Sequence, residues 1–130
     1  MKRDNDLLRD ILLTVEACPD VPPKTLRIES FLDYCDNPAI ISLHIELLQE
    51  AGLIEADRIQ RNDGIQRNDG IKGWDIKRLT FAGYEYLDTI RSAKVWRNVK
   101  QRLQAVGGAT LDIIKAVAVS EIKKELDIER

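Results

Sequence analysis

Five cations, Arg91, Lys94, Arg97, Lys100 and Arg102, fall within twelve residues that hold no acid. A second set, Arg58, Arg61, Arg67, Lys72, Lys77 and Arg78, precedes it. Cations at this density neutralise phosphates and release their counterions. The later set has no local acid to relieve its self-repulsion, which favours a polyanion over an ordinary solvated face. For the earlier set a solvated face is an equal reading. Regional charge tells the same story. Residues 1–57 carry 5 Lys/Arg against 12 Asp/Glu, a net of −7, while residues 58–102 carry 11 against 5, a net of +6. The total of −2 hides this contrast, and a polyanion senses the local field.

Other chemistry has little footing. His44 is the sole histidine, too few for a zinc set or a triad. It lies on the apolar arc of its helix, so it reads as a core histidine bonded to a nearby carbonyl or acid. Cys18 and Cys35 form no CxxC pair and read as reduced, packed thiols. No phosphate loop is present, and no spacing singles out two carboxylates for acid–base work. The reading is a non-enzyme, with no catalytic, cofactor-binding or metal residues.

The elements that would position the cations follow from periodicity. Pro38–Ala51 is an amphipathic helix, with Asn37 as its cap and Pro38 at its first position. Ile40, Leu43, Leu47, Leu48 and Ala51 share one arc, which Ile41 and Ile45 widen. Ser42, Glu46, Gln49 and Glu50 face the other way, so Ser42 and Gln49 are candidates to reach base edges. Gly52 ends the helix. Leu53–Asp57 then reads as a strand, and Lys72–Leu79 as its returning partner. Thr80 caps a helix with Phe81, Tyr84, Leu87 and Ile90 at apolar spacing. That helix runs toward Val106, with a break near Ser92 left open, and Gly107-Gly108 ends it. Thr110 caps a last helix to about Asp127, whose wide apolar surface is either packed deep in the domain or buried against a second copy; a homodimer is preferred.

Upstream, Asp4 or Asp6 caps a first helix to about Ala17, with Leu7, Leu8, Ile11, Leu12 and Val15 as its stripe. Pro19, Pro22 and Pro23 impose a rigid loop. Thr25–Glu29 alternates as a short strand. Ser30–Asp36 is open between a second helix, an extended strand and a single turn. Gln60-Arg61-Asn62-Asp63-Gly64-Ile65 is repeated unchanged as residues 66–71. Asn-Asp-Gly is turn chemistry, so this is an enlarged, mobile hairpin tip. No apolar run is long enough to cross a membrane, and MKRDNDLLRD is too polar for a secretory signal, so a cytoplasmic protein is expected.

Met1-Lys2-Arg3-Asp4 with Leu7-Leu8-Arg9, His44-Ile45-Glu46-Leu47-Leu48 through Ala51-Gly52-Leu53-Ile54, Leu79-Thr80-Phe81-Ala82-Gly83-Tyr84-Glu85-Tyr86-Leu87-Asp88, and Val95-Trp96 together resemble a domain-of-unknown-function family of small bacterial and prophage-borne proteins. That resemblance implies no activity. More loosely, residues 37–90 are similar to winged-helix transcription regulators. The expected fold is mainly α with a small β-hairpin (α+β). It is one domain over residues 1–130, with a winged helix-turn-helix-like core at about 4–92 and a helical extension at about 93–128. The expected function is binding of double-stranded DNA by a phage- or prophage-associated regulator, through the wing and residues 91–102. The alternative is a protein-interaction module that keeps the scaffold and uses the acidic helix face.

Overall fold

The Asp4 carboxylate starts the first helix by accepting from the N–H groups of Asp6 at 3.0 Å and Leu7 at 3.2 Å. Helix α1 (Asn5–Ala17) buries Leu7, Leu8, Ile11, Leu12 and Val15, the stripe its periodicity predicts. The structure, a computed structural model, describes residues 2–18, 26–59 and 73–127. The proline loop and the duplicated hexapeptide therefore lie outside the described residues, as does Thr25.

Leu26 makes a single antiparallel bridge to Ile76, giving its N–H at 3.4 Å and accepting at 2.9 Å. The short strand expected over Thr25–Glu29 goes no further. Ile28–Phe31 is a 3-10 turn, because the Ser30 hydroxyl takes the Arg27 N–H at 3.1 Å and the Ser30 N–H closes back on the Arg27 carbonyl at 2.9 Å. The chain turns again at Phe31, whose carbonyl accepts from Tyr34 at 3.0 Å and Cys35 at 3.2 Å. Of the three readings left open for Ser30–Asp36, the turn is the one the structure adopts. Ile28 and Phe31 are both buried, so the turn tucks two apolar side chains inward.

Helix α2 (Pro38–Glu50) follows, with Asn37 Oδ1 accepting from the Ala39 N–H at 3.0 Å. Gly52, at φ +76°, closes it with two bonds: its own N–H to Gln49 and the Leu53 N–H to Leu48, each 2.9 Å. Strands β1 (Ile54–Arg58) and β2 (Trp74–Leu79) pair antiparallel, in the register Ile54 to Leu79, Ala56 to Ile76 and Arg58 to Trp74. A bulge between Glu55 and Ala56 leaves Lys77 as the extra residue. It explains an irregularity in the sequence: Trp74 and Ile76 are two apart but Leu79 is three further on, and all three are buried. Without the bulge Leu79 would face solvent.

Helix α3 (Phe81–Ile90) starts at Thr80, whose hydroxyl accepts from the Gly83 N–H at 3.0 Å. Its inward face is Gly83, Tyr86, Leu87 and Ile90, at i, i+3, i+4 and i+7. This corrects the expected stripe, since Phe81 is 77% and Tyr84 40% exposed. The reason is Gly83. A Cβ there would strike the Leu53 carbonyl, with the carbonyl carbon 3.0 Å away, so the helix turns its smallest residue inward.

The chain divides into two compact units, Met1–Tyr84 and Glu85–Arg130, with the division inside α3. In the second unit the helix does break at Ser92, whose hydroxyl accepts from the Val95 N–H at 3.2 Å to start α4 (Ala93–Leu103). A 3-10 turn over Gln104–Val106 and Gly107 at φ +73° lead to α5 (Leu111–Glu125), capped by Thr110. The fold is α+β, with five α-helices and a two-stranded antiparallel hairpin among the described residues. No helix among them is long and apolar enough to cross a membrane.

Gly83→Ala tests the close approach. It is expected to cost about 2–3 kcal/mol in urea denaturation. Gly108→Ala, where the added Cβ meets nothing within 4 Å, should be neutral within about 0.5 kcal/mol or slightly stabilising.

Candidate nucleic-acid interface

In the first unit, two side chains one turn apart on α2 meet a cross-strand pair on the hairpin. Ser42 and Glu46 are the helix residues; Trp74 and Arg58 are the strand residues. The Trp74 indole is buried, and its Nε1–H donates to Ser42 Oγ at 2.9 Å. Arg58 lies over that ring, 5.2 Å from its centre, and gives one guanidinium N–H to Glu46 Oε1 at 2.6 Å. A hollow of about 430 Å³ opens here, lined by Glu46, Gln49, Glu50, Ala56, Asp57, Arg58 and Trp74. Ser42 thus spends its oxygen inside the fold, while Gln49 is exposed at the rim.

The outer face of the hairpin pairs its cations with acids of the opposite strand. Arg78 holds both oxygens of Glu55, at 2.7 and 3.1 Å, and gives a third N–H to the Leu79 carbonyl at 3.0 Å. Lys77 meets Asp57 at 2.9 Å. That bond and the charge of Asp57 hold the Lys77 ammonium above its ordinary pKa against the opposing effect of desolvation, with lesser help from the charges of Asp75 and Glu55. Asp57 and Asp75 are register partners, so this lysine relieves a like-charge pair. Arg61, Arg67 and Lys72 lie outside the described residues.

The second unit has its own set. Arg91 bonds Asp88 at 2.6 Å, Lys94 bonds Glu125 at 2.9 Å, and Arg102 bonds Glu121 at 3.1 Å. Pairing the start of α4 with the end of α5 makes these helices antiparallel. Lys100 stands 6.0 Å from the Trp96 ring centre. Arg97 is exposed and makes no ion pair among the described residues. The expectation that residues 91–102 carry uncompensated charge is therefore corrected. The acids come from outside the acid-free window, two of them from α5. Glu121, 7% exposed, is the one acid on the buried stripe Ile114, Ala118, Glu121 of α5, and Lys124 adds a second cation at 3.7 Å.

His44 is fully buried and belongs to none of these sets. Its Nε2 accepts the Asp4 N–H at 2.8 Å, which leaves the proton on Nδ1 to donate to the Ile40 carbonyl at 2.7 Å. It ties the start of α1 to α2. Cys18 and Cys35 form no disulfide and are half-buried, and the Cys35 thiol donates to the Asn37 carbonyl at 3.7 Å. No group of three or more His, Cys, Asp or Glu among the described residues is arranged to hold a metal ion. His44→Phe keeps a ring but offers the Asp4 N–H no acceptor. It should cost about 1–3 kcal/mol in urea denaturation.

Comparison with known proteins adds kinship without activity. An uncharacterised protein of Haemophilus influenzae is 34% identical over 128 residues, covering 97% of this chain and 99% of that protein. No solved structure matches. Residues 2–110 match the family described as hypothetical protein DUF2513. With that match spanning most of its length, the chain belongs to the DUF2513 family.

Proposed function

We propose that this chain is a winged-helix protein that binds duplex DNA and serves as a small regulator. The observation that carries the reading is the bridge from Leu26 to Ile76. It adds a third extended segment to the hairpin. The order then becomes helix, extended segment, turn, helix, hairpin, helix, which is the order of a winged helix. In such a scaffold α2 and the hairpin form the face toward DNA. Arg58 lies where the hairpin meets α2, with exposed Gln49 able to meet a base edge, and Lys77 and Arg78 lie on the outer face of the hairpin. The second unit supplies Arg97, which makes no ion pair among the described residues, and Lys100 one turn further along α4. Ion pairs at the surface do not oppose the reading. Each is worth about 0–1 kcal/mol, and a phosphate can replace the carboxylate.

A protein partner is the second reading, and one observation favours it. The outward side of α2 carries Glu46 and Glu50 beside the aromatic-floored hollow, and no cation of α2 offsets them. A basic segment of another protein would meet complementary charge there. In the second unit, exposed Val106, Ile113 and Leu126 provide the apolar surface for the expected homodimer. Ile113→Asp should shift sedimentation toward monomer.

Fluorescence anisotropy of a labelled generic duplex separates the two readings. DNA binding predicts a Kd of roughly 10⁻⁶–10⁻⁴ M that weakens steeply with salt. Arg97→Glu with Lys100→Glu should weaken it further and flatten the salt dependence. Absence of binding even at low salt would reject DNA and leave the acidic face of α2 as the working surface.

A further inference from the structure

The site on α2 and the hairpin holds one arginine differently from the rest. Arg78 is held firmly: three of its five N–H groups are bonded, two of them to the two oxygens of Glu55. Among the described residues Arg58 gives a single N–H to a single oxygen of Glu46. A guanidinium has five N–H groups in a planar fork that suits carboxylate and phosphate alike. The guanidinium carbon of Arg58 already lies over the Trp74 ring, and Trp74 is itself fixed by Ser42. The arginine is thus oriented before any ligand arrives, and its side chain is exposed to solvent.

Resting on the DNA reading above, we propose that Glu46 is an internal competitor for a phosphodiester oxygen at Arg58. Its carboxylate takes the place on the guanidinium that a backbone phosphate would take, and DNA must displace it. The acidic face of α2 therefore opposes DNA at one defined contact. Glu46 sets how tightly the scaffold grips any duplex, while the Trp74 shelf keeps Arg58 aimed in both states. The side chain acts through Arg58, so it is a positioning residue for the interface.

A charge-matched comparison tests this. Glu46→Gln keeps shape and removes the competitor. Glu50→Gln removes the same charge from the same helix face, where no ion pair to Arg58 exists among the described residues. Anisotropy with a generic duplex would be read for wild type, both variants, Arg58→Ala and the Glu46→Gln/Arg58→Ala double variant, after circular dichroism shows equal helicity. Glu46→Gln should tighten binding about two- to fivefold at low salt, the range a surface pair supports. Its log–log salt slope should steepen by about one as Arg58 joins the phosphate contacts. The gain should shrink for Glu50→Gln and vanish without Arg58. Equal gains from the two glutamines, or a gain that survives Arg58→Ala, would mean general repulsion and overturn the proposal. Unchanged affinity for Glu46→Gln alongside salt-sensitive wild-type binding would overturn it and leave the DNA reading standing. No binding by any variant would overturn both.

Discussion

Thr80 and Gly83 clasp the turn at Gly52-Leu53, and the arrangement of the first unit depends on that clasp. The Thr80 N–H donates to the Leu53 carbonyl at 3.0 Å, and its hydroxyl donates to the Gly52 carbonyl at 2.5 Å. The same hydroxyl accepts the Gly83 N–H and so begins α3. Gly83 must be glycine for the helix to lie this close to Leu53. Three elements end or begin at this point: α2 with its left-handed Gly52, the hairpin at the Ile54–Leu79 pair, and α3. Once they are joined there, the path from α2 into β1 is fixed. The facing of Ser42 and Glu46 toward Trp74 and Arg58 follows from it.

Energetic scale separates this scaffold from the surface built on it. A backbone-to-backbone approach that admits no Cβ is costly to disturb, because neither partner can move as a flexible side chain can. The ion pairs on the hairpin and on α4 and α5 are mostly between exposed side chains, and such pairs contribute little. Arg102 with the buried Glu121 is the exception, since its carboxylate is largely out of water and loses most if left alone. That pair belongs to the packing of α4 on α5, whereas the others can be exchanged.

The parts of this architecture legible in the sequence are those governed by local rules. The caps at Asn37, Thr80 and Thr110, the stripe of α1, the close at Gly52 and the core role of His44 each follow from residue type and spacing within a few positions. Phe81 and Tyr84 misled for a physical reason: apolar spacing marks a stripe, but the true face was chosen by the one residue without a side chain. The turn at Ile28–Phe31 depended on a Ser30 side-chain bond that competes with strand pairing, and alternation does not register it. The charge partners were hidden for another reason. Glu121 and Glu125 are some twenty to thirty positions from the cations they meet, so a window that looked acid-free was not.

These facts change what regional charge can say about binding. A net of +6 over residues 58–102 suggests a bare basic surface, yet acids outside that window or across the hairpin meet most of its described cations. The relevant quantity for a phosphate is then not the charge of a segment but the cost of replacing a particular carboxylate. That cost is low where a cation is exposed and held by one bond among the described residues, as at Arg58, and higher where three donors are engaged and the carboxylate is held through both oxygens, as at Arg78. Both arginines stand on one small hairpin with similar exposure. They differ in how many bonds must break, so they should differ in availability to a polyanion although composition counts them as equal.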